Sequence, residues 1–142
     1  MSSPSMQLNI KAYRFWLYGS LIAIVPLGMG TKFYRGWGEW WVNDYAGGIL
    51  YEILWMILVA LAWPKLRLWK VAIAVFLFTS FVEILQLWHP PLLQALRSTL
   101  LGKLILGTTF VWLDFPHYAI GCGLGWLALY GLQKALTHPQ SI

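Results

Sequence analysis

Four long apolar segments constrain the fold of this chain more than any other feature. They cover about residues 15–31, 44–63, 71–88 and 112–132, and none alternates strictly between apolar and polar residues. A membrane-spanning helix needs roughly 17 to 25 mostly apolar residues, whereas the strands of a membrane barrel alternate. Charged residues make up only 11% of the 142 residues, against about 25% in ordinary soluble domains. The sequence therefore predicts an all-α fold, a polytopic membrane helical bundle of four transmembrane helices in a single domain, residues 1–142.

The segment between the third and fourth predicted helices does not have the composition of an ordinary loop. Pro90 and Pro91 end the third helix, and a proline suits the first position of a new helix. Leucines then recur at helical spacing, at positions 92, 93, 96 and 100, and Gly102 is a typical helix end. We expect a short interfacial or re-entrant helix over about residues 91–101. The two ends of the chain, MSSPS and THPQSI, are predicted to be frayed.

Glu83 is the most unexpected residue of the third segment, because a carboxylate inside a bilayer is costly. On a helical wheel it shares a face with Thr79, Ser80 and Gln86, and the second and fourth segments each carry a similar polar or small face. We expect these three faces to meet inside the bundle as one polar pocket. The candidate pocket residues are Asp44, Tyr51, Glu52, Glu83, Gln86, Arg97, Asp114, His117 and Tyr118. The candidate helix-packing residues are Gly47, Gly48, Gly121 and Gly125.

The carboxylates of this pocket are predicted to lie in one leaflet of the membrane. The second and fourth helices begin on the side on which the third helix ends. Glu83 lies six residues before His89, and Glu52 lies eight residues after Asp44, which correspond to about 9 and 12 Å at 1.5 Å per residue. Both depths fall within one half of a hydrocarbon core of about 30 Å.

Arg97 is predicted to form an ion pair with one of these carboxylates, and Glu83 is the expected partner. Such a pair would couple the two residues energetically, so that removing one would leave the other charge stranded. A structural role is the alternative interpretation. In that case Glu83, Gln86 and Tyr51 would only bond the helices to one another.

Other kinds of site find less support in the sequence. Asp44 and Asp114 are each placed at a helix N-terminus, where a carboxylate can cap free N–H groups. Asp114 and His117 could bind a metal together with Glu83, but this spacing often arises by chance, and neither a metal nor a cofactor is predicted. Cys122 is interpreted as a small packing residue, and whether the protein is an enzyme stays undetermined.

The basic residues argue for a membrane orientation and against a nucleic-acid partner. All ten Lys and Arg residues are scattered beside the apolar segments instead of forming a patch. Six of them lie on the side of the two termini, and the other four lie on the opposite side. The six are Lys11, Arg14, Lys65, Arg67, Lys70 and Lys134. The excess predicts that both termini are cytoplasmic and that the pocket lies in the extracytoplasmic leaflet.

A linked series of motifs resembles a known family. The series consists of Asp44, Tyr51, Glu83-x-x-Gln86, Arg97, Gly102, Gly107, Phe110, Asp114, Tyr118 and Gly121. Over about residues 40–130 it resembles an uncharacterised bacterial integral membrane family, the domain of unknown function numbered twenty-eight-oh-nine. The chain is also similar, more distantly, to VanZ-like proteins, which carry a comparable Glu-x-x-Gln and a later Asp before a glycine-rich last helix. The resemblance implies a bacterial cytoplasmic (inner) membrane protein with a role in the cell envelope, and it implies no catalytic mechanism.

These observations lead to one main functional hypothesis and three alternatives. The pocket is expected to bind an amphiphile, such as a lipid carrier or a cell-wall precursor, whose headgroup Arg97 would hold. The first alternative is an intramembrane enzyme that uses Glu83 as general acid or base on such a headgroup. The second is a structural helper subunit. The third is a proton-coupled transporter, which has the least support because carboxylates confined to one leaflet do not form a path across the membrane. Membrane lipids are the expected partners, and a lipid-linked ligand, a membrane-protein partner and a homo-oligomer all stay open.

Overall fold

The computed structural model describes residues 5–106 and 110–139, and these are mostly helical. The helices are α1 (Ile10–Gly30), α2 (Glu39–Trp41), α3 (Gly47–Ala62), α4 (Leu68–Leu85), α5 (Pro91–Arg97), α6 (Leu100–Leu106) and α7 (Asp114–Ala135). A π-helical turn, Val42–Ala46, joins α2 to α3, so that Glu39–Ala62 is one continuous helix. Two short strands, β1 (Met6–Leu8) and β2 (Thr137–Pro139), lie at the two ends of the described chain.

The long helices pack around α3, which contacts α1, α4 and α7, and α7 also contacts α4. The interior nearer the chain termini is apolar. Its buried side chains include Tyr13, Leu17, Met56, Ala60, Val71 and Leu129. Large apolar side chains also cover much of the outer surface, for example Phe15, Ile22, Leu77 and Phe81. An outer surface with this much exposed apolar area is typical of contact with a membrane or another protein.

In the part of the chain that the structure describes, three helices are long and apolar enough to cross a membrane. They are Ile10–Gly30, Glu39–Ala62 and Leu68–Leu85, and they correspond to the first three predicted spans. The predicted fourth span corresponds to α7, which has 22 residues but is less apolar than the others. The predicted helical fold class is therefore confirmed in a coarser form, as a mostly helical protein with three helices of membrane-spanning length.

Several predicted helix bounds differ from the structure by three to five residues, because the ends of charge-free runs are not the ends of helices. The first helix begins at Ile10 because Asn9 Oδ1 accepts a hydrogen bond of 3.2 Å from the Ala12 N–H, a typical N-terminal cap. The basic residues that follow therefore belong to its first turns. The third helix covers Leu68–Leu85 and ends five residues before Pro90.

The prediction that Asp44 opens the second helix is wrong. This helix begins five residues earlier, at Glu39, directly after Gly38, whose φ of 70° lies in the left-handed region that glycine adopts without strain. Asp44 lies exposed within the π-helical turn. It therefore does not cap a helix.

The prediction of frayed termini is wrong for residues Thr137–Pro139. These residues form β2, which pairs with β1 in an antiparallel ladder whose register matches Met6 with Pro139 and Leu8 with Thr137. The all-α prediction is therefore corrected by one two-stranded antiparallel sheet. The ladder brings both ends of the described chain to the same end of the helix bundle.

The segment between α4 and α7 contains two short helices instead of the single predicted helix over 91–101. Ser98 and Thr99 separate α5 from α6. Gly102 does not end a helix but lies inside α6, where an added Cβ would overlap the carbonyl of Leu96. The glycine thus lets α6 approach the end of α5.

Candidate functional site

Glu83 is a buried carboxylate near the end of α4, with 1% of its surface exposed. Its Oε1 accepts a hydrogen bond from the Val111 N–H at 2.9 Å, and its Oε2 accepts one from the Tyr118 hydroxyl at 2.9 Å. Val111 belongs to the segment that enters α7, and Tyr118 lies one turn inside that helix. Glu83 therefore joins the end of α4 to the start of α7.

Asp114, the first residue of α7, brings a second carboxyl group to this place. The charges of Glu83, Lys32 and Asp44 all act on it. Tyr118 lies within electrostatic reach of three carboxylates, those of Glu83, Asp114 and Glu52. We refer to Glu52, Glu83, Asp114 and Tyr118 as the acidic cluster.

Glu52 is the deepest member of the acidic cluster and is fully buried in α3. Its Oε2 accepts hydrogen bonds from the Thr79 hydroxyl at 3.0 Å and from the Cys122 thiol at 3.1 Å. These bonds join α3 to α4 and α7. Its other oxygen, Oε1, has no hydrogen-bond partner within the described residues, which is uncommon for a buried polar atom.

Tyr51 and Gln86 hold the end of α6 against the long helices. The Tyr51 hydroxyl donates to the carbonyl of Ile105 at 2.7 Å, and Gln86 Nε2 donates to the carbonyl of Leu106 at 2.8 Å. The last carbonyls of any helix lack partners within that helix, so these bonds satisfy groups that would otherwise be free. Gln86 Oε1 is buried and has no partner in the described part of the chain.

Arg97 does not make the predicted ion pair with Glu83. It is 5% exposed, and its Nη1 and Nη2 donate to the carbonyls of Trp88 at 2.9 Å and Leu85 at 2.8 Å. The reason is that α5 folds back under the end of α4, where the free carbonyls carry partial negative charge. Arg97 is therefore a capping residue of α4.

His117 and Asp44 lie beside the acidic cluster without joining it. The His117 ring stacks on Tyr45, with centroids 4.4 Å apart, and its Nε2 accepts a hydrogen bond from Trp41 Nε1 at 3.1 Å. Asp44 is exposed in the π-helical turn. Across residues 5–106 and 110–139, no group of three or more His, Cys, Asp and Glu is arranged to hold a metal ion.

Two of the predicted packing glycines form the seam between α7 and α3. A Cβ on Gly121 would lie 2.7 Å from the carbonyl oxygen of Ile49, and one on Gly125 would lie 2.7 Å from Met56 Sδ. Both distances are too short for a real Cβ, so the absence of a side chain lets the two helices approach.

The other two predicted packing glycines make looser contacts. A Cβ on Gly48 would lie 3.3 Å from the Tyr118 ring, and one on Gly47 would lie 3.0 Å from Thr31 Oγ1. Gly48 thus leaves room for the ring whose hydroxyl reaches Glu83.

Sequence reasoning missed two contributors to the site, Cys122 and Val111. Helical spacing places Thr79 on the face of Glu83, although Thr79 is not among the candidate pocket residues, and Cys122 lies one turn after Tyr118 in α7, so helical spacing could have included it. Val111 contributes a backbone N–H, which no side-chain pattern can reveal.

An apolar groove lies between α4 and α7 on the outer surface and has a volume of about 390 Å³. Its lining includes Trp69, Ile73, Phe76, Ala119, Cys122 and Trp126. Cys122 links the groove to the acidic cluster, because the same thiol donates to Glu52. A second groove of about 320 Å³ is formed by residues of α1, α3 and α7.

The fold and the site define a class of protein, namely a helical protein whose apolar helices are compatible with a membrane and surround a buried acidic cluster. The family described as "Protein of unknown function (DUF2809)" matches residues 37–122, which is more than half of the chain, and the chain belongs to that family. This match confirms the resemblance that the motif series predicts. Gly107 of that series lies outside the described residues. No solved structure matches the chain.

Proposed function

We propose that this protein is an integral membrane protein with four spans, of which α7 is the fourth. The 22 residues of α7 extend over about 33 Å at 1.5 Å per residue, enough for a hydrocarbon core of about 30 Å. The ladder between β1 and β2 supports an even number of crossings, because it joins both ends of the described chain. The packing of α7 against α3 and α4 accounts for part of its lower hydropathy, since Gly121, Gly125 and Tyr118 face protein.

In this proposal, α5 and α6 form a re-entrant segment on the side of the acidic cluster. Backbone groups outside regular structure need protein partners at membrane depth, because lipid offers none. Tyr51, Gln86 and Glu83 supply such partners to the end of α6 and to the segment that enters α7. The need for such partners explains why Tyr51 lies on α3 and why Glu83 and Gln86 lie at the end of α4.

The function that we propose is the binding of a membrane amphiphile, with its headgroup at the acidic cluster. The observation that carries this proposal is the set of buried carboxyl groups whose bonding partners are hydroxyl, thiol and backbone N–H groups, not basic side chains. Ionisable groups inside a membrane are costly, and a bond between helices requires only a neutral polar residue. A carboxylate without a basic partner therefore favours a ligand.

We place the headgroup at the acidic cluster and not at Arg97, because both Nη atoms of Arg97 are already bonded to carbonyls of α4. The apolar chain of the amphiphile would lie in the groove between α4 and α7. This groove is apolar, lies on the outer surface, and meets the cluster at Cys122.

Native mass spectrometry of the protein extracted together with membrane lipids tests this function. We expect a bound lipid on the wild type, and we expect Asp114→Asn to lower its occupancy by about tenfold. Glu39→Gln is the matched control, since it also turns a carboxyl group into an amide at the same end of the bundle, and the charge of Glu39 is not among those that act on Asp114. Equal lipid occupancy in all three proteins, or none in any, would overturn the proposal. A stoichiometric second protein without lipid would favour the helper subunit.

A second candidate function is an intramembrane enzyme acting on the headgroup, and the position of Asp114 beside Glu83 favours it. Two neighbouring carboxyl groups can share one proton and exchange it with a ligand, as general acid–base catalysis requires. Chemical change of the co-purified lipid during incubation would distinguish this enzyme from a binding protein.

For location, we propose the bacterial cytoplasmic (inner) membrane, with both termini cytoplasmic and the acidic cluster in the extracytoplasmic leaflet. The support is the excess of basic residues on the side of the termini, six against four. We propose a role in the cell envelope from the motif resemblance to VanZ-like proteins alone, namely Glu83-x-x-Gln86 and the later Asp114. A C-terminal reporter that is active only in the cytoplasm tests the orientation, and activity of a periplasmic reporter there would reverse it.

A further inference from the structure

We propose that the acidic cluster binds a primary ammonium group. This inference rests on the proposed function, in which the amphiphile carries that group, and it adds the chemical class of the headgroup.

The hydrogen bonds that Glu52 and Glu83 receive from the described residues come from hydroxyl, thiol and backbone N–H groups, not from basic side chains. Glu83 and Asp114 also act on one another by their charges, and two neighbouring ionised carboxylates repel one another unless a proton or a cation lies between them. Lys32 acts on Asp114 by its charge, but it is exposed and its Nζ donates to the carbonyl of Asn43 at 3.0 Å. Glu83, Asp114 and Glu52 all act by their charges on Tyr118, so a cation bound beside Tyr118 would interact with three carboxyl groups.

Unused hydrogen-bond acceptors lie on the helices that form the acidic cluster. Three buried oxygens have no partner among the described residues, and they belong to Glu52, Ser80 and Gln86. Ser80 and Gln86 lie three residues before and after Glu83, so helical spacing puts them on its face of α4. Among the described residues, the unpartnered buried N–H donors are Trp55 Nε1 and Arg97 Nε, both on side chains outside the cluster. A site rich in acceptors matches an ammonium group, which offers three N–H donors.

Other ligand classes fit the cluster less well. A phosphate or carboxylate group would meet like charges, and Arg97 has both Nη atoms bonded to the end of α4. A divalent metal prefers several closely arranged protein ligands, and the described residues hold no such group of three or more His, Cys, Asp and Glu. The ammonium group satisfies the charge and the acceptors together.

Nanodiscs with equal amounts of phosphatidylethanolamine and phosphatidylglycerol provide the test, with bound lipids counted by native mass spectrometry of the full chain. We expect about tenfold enrichment of phosphatidylethanolamine on the wild type and on Glu39→Gln. Asp114→Asn should abolish this enrichment. It is a safer variant than Glu83→Gln, because Glu83 also bonds the Val111 backbone. Phosphatidylcholine, whose quaternary nitrogen has no N–H donor, should not replace phosphatidylethanolamine.

The outcomes separate this inference from the proposed function. Lipids bound without headgroup preference, or with a preference for phosphatidylglycerol, would overturn the ammonium site and leave amphiphile binding intact. Free methylammonium, added at millimolar concentration to lipid-free protein in detergent, distinguishes the two sources of the group. Binding of methylammonium without enrichment of any lipid is seen if methylammonium raises the unfolding temperature of the wild type but not of Asp114→Asn. That result would support the ammonium site and contradict the binding of an amphiphile.

Discussion

The two ends of the helix bundle are held together by different kinds of contact. At the end that carries β1 and β2, apolar side chains fill the interior, and Gln133 Nε2 donates to the Tyr13 hydroxyl at 3.1 Å. At the opposite end, Glu83, Gln86 and Arg97 are buried, and each of them bonds to backbone groups. We call these the terminal end and the acidic end.

The difference shows what each kind of contact can specify. Apolar packing has no direction, and lipid tails compete for it, so it holds helices together without selecting one partner for each side chain. A buried hydrogen bond has a fixed partner, and the loss of one member leaves the other unsatisfied. We therefore expect single substitutions to cost more at the acidic end than at the terminal end.

Arg97→Ala should have the largest effect on the free energy of unfolding. It leaves the carbonyls of Leu85 and Trp88 without their donors in a buried place, and we expect a loss of about 3 kcal/mol. Lys103→Ala, at an exposed basic residue of α6, is the matched control and should change stability by less than about 0.5 kcal/mol. Reversible unfolding in one detergent measures both. Equal losses for the two variants would contradict the capping role of Arg97.

Gly121→Ala tests the helix seam at the acidic end. The new Cβ would meet the carbonyl oxygen of Ile49, and we expect a loss of about 2 kcal/mol because backbone atoms must move. Gly123→Ala places the same methyl group on the same helix where, among the described atoms, nothing lies within 4 Å. It should stabilise the helix by about 0.5 kcal/mol. A similar response of both variants would show that α7 does not pack on α3 as described.

Glu83→Gln should lower the free energy of unfolding by less, about 1 kcal/mol. The amide oxygen of the glutamine can still accept a hydrogen bond from one of the two donors to Glu83, the Val111 N–H or the Tyr118 hydroxyl. The sequence alone predicts strong coupling between Glu83 and Arg97, whereas the structure gives them separate partners. The double variant Glu83→Gln with Arg97→Ala should therefore lose the sum of the single losses within about 0.5 kcal/mol. A double-mutant cycle of unfolding free energies measures whether the two losses add. Clear non-additivity would show that Glu83 and Arg97 interact, as the predicted ion pair requires.

Gln133→Leu should have the smallest effect and completes the comparison. It removes one neutral hydrogen bond to Tyr13 at the terminal end and replaces it by apolar contact, and we expect a loss of about 0.5 kcal/mol. Thermal unfolding in the same detergent measures this loss. A loss as large as that of Arg97→Ala would remove the contrast between the two ends.

Much of the helical architecture could be predicted from the sequence. The apolar runs identified the long helices, and Pro91 marked the start of α5, whereas α4 ends at Leu85, before either proline. Helical spacing also placed Glu83 and Tyr118 on faces that meet, because 3.6 residues per turn is a local property of each helix. These features depend on neighbours along the chain, and the chain alone determines them.

Only the tertiary structure decided the partners of the polar groups. Arg97 bonds to carbonyls at the end of α4 because α5 folds back, and Glu83 bonds to the backbone N–H of Val111. The strands β1 and β2 pair although they lie near opposite ends of the sequence. A charge in the sequence reveals that a partner is needed but not which of several carbonyls or carboxylates lies within 3 Å of it. That choice depends on distances and angles between segments far apart in sequence, to which hydrogen bonds are far more sensitive than apolar contacts.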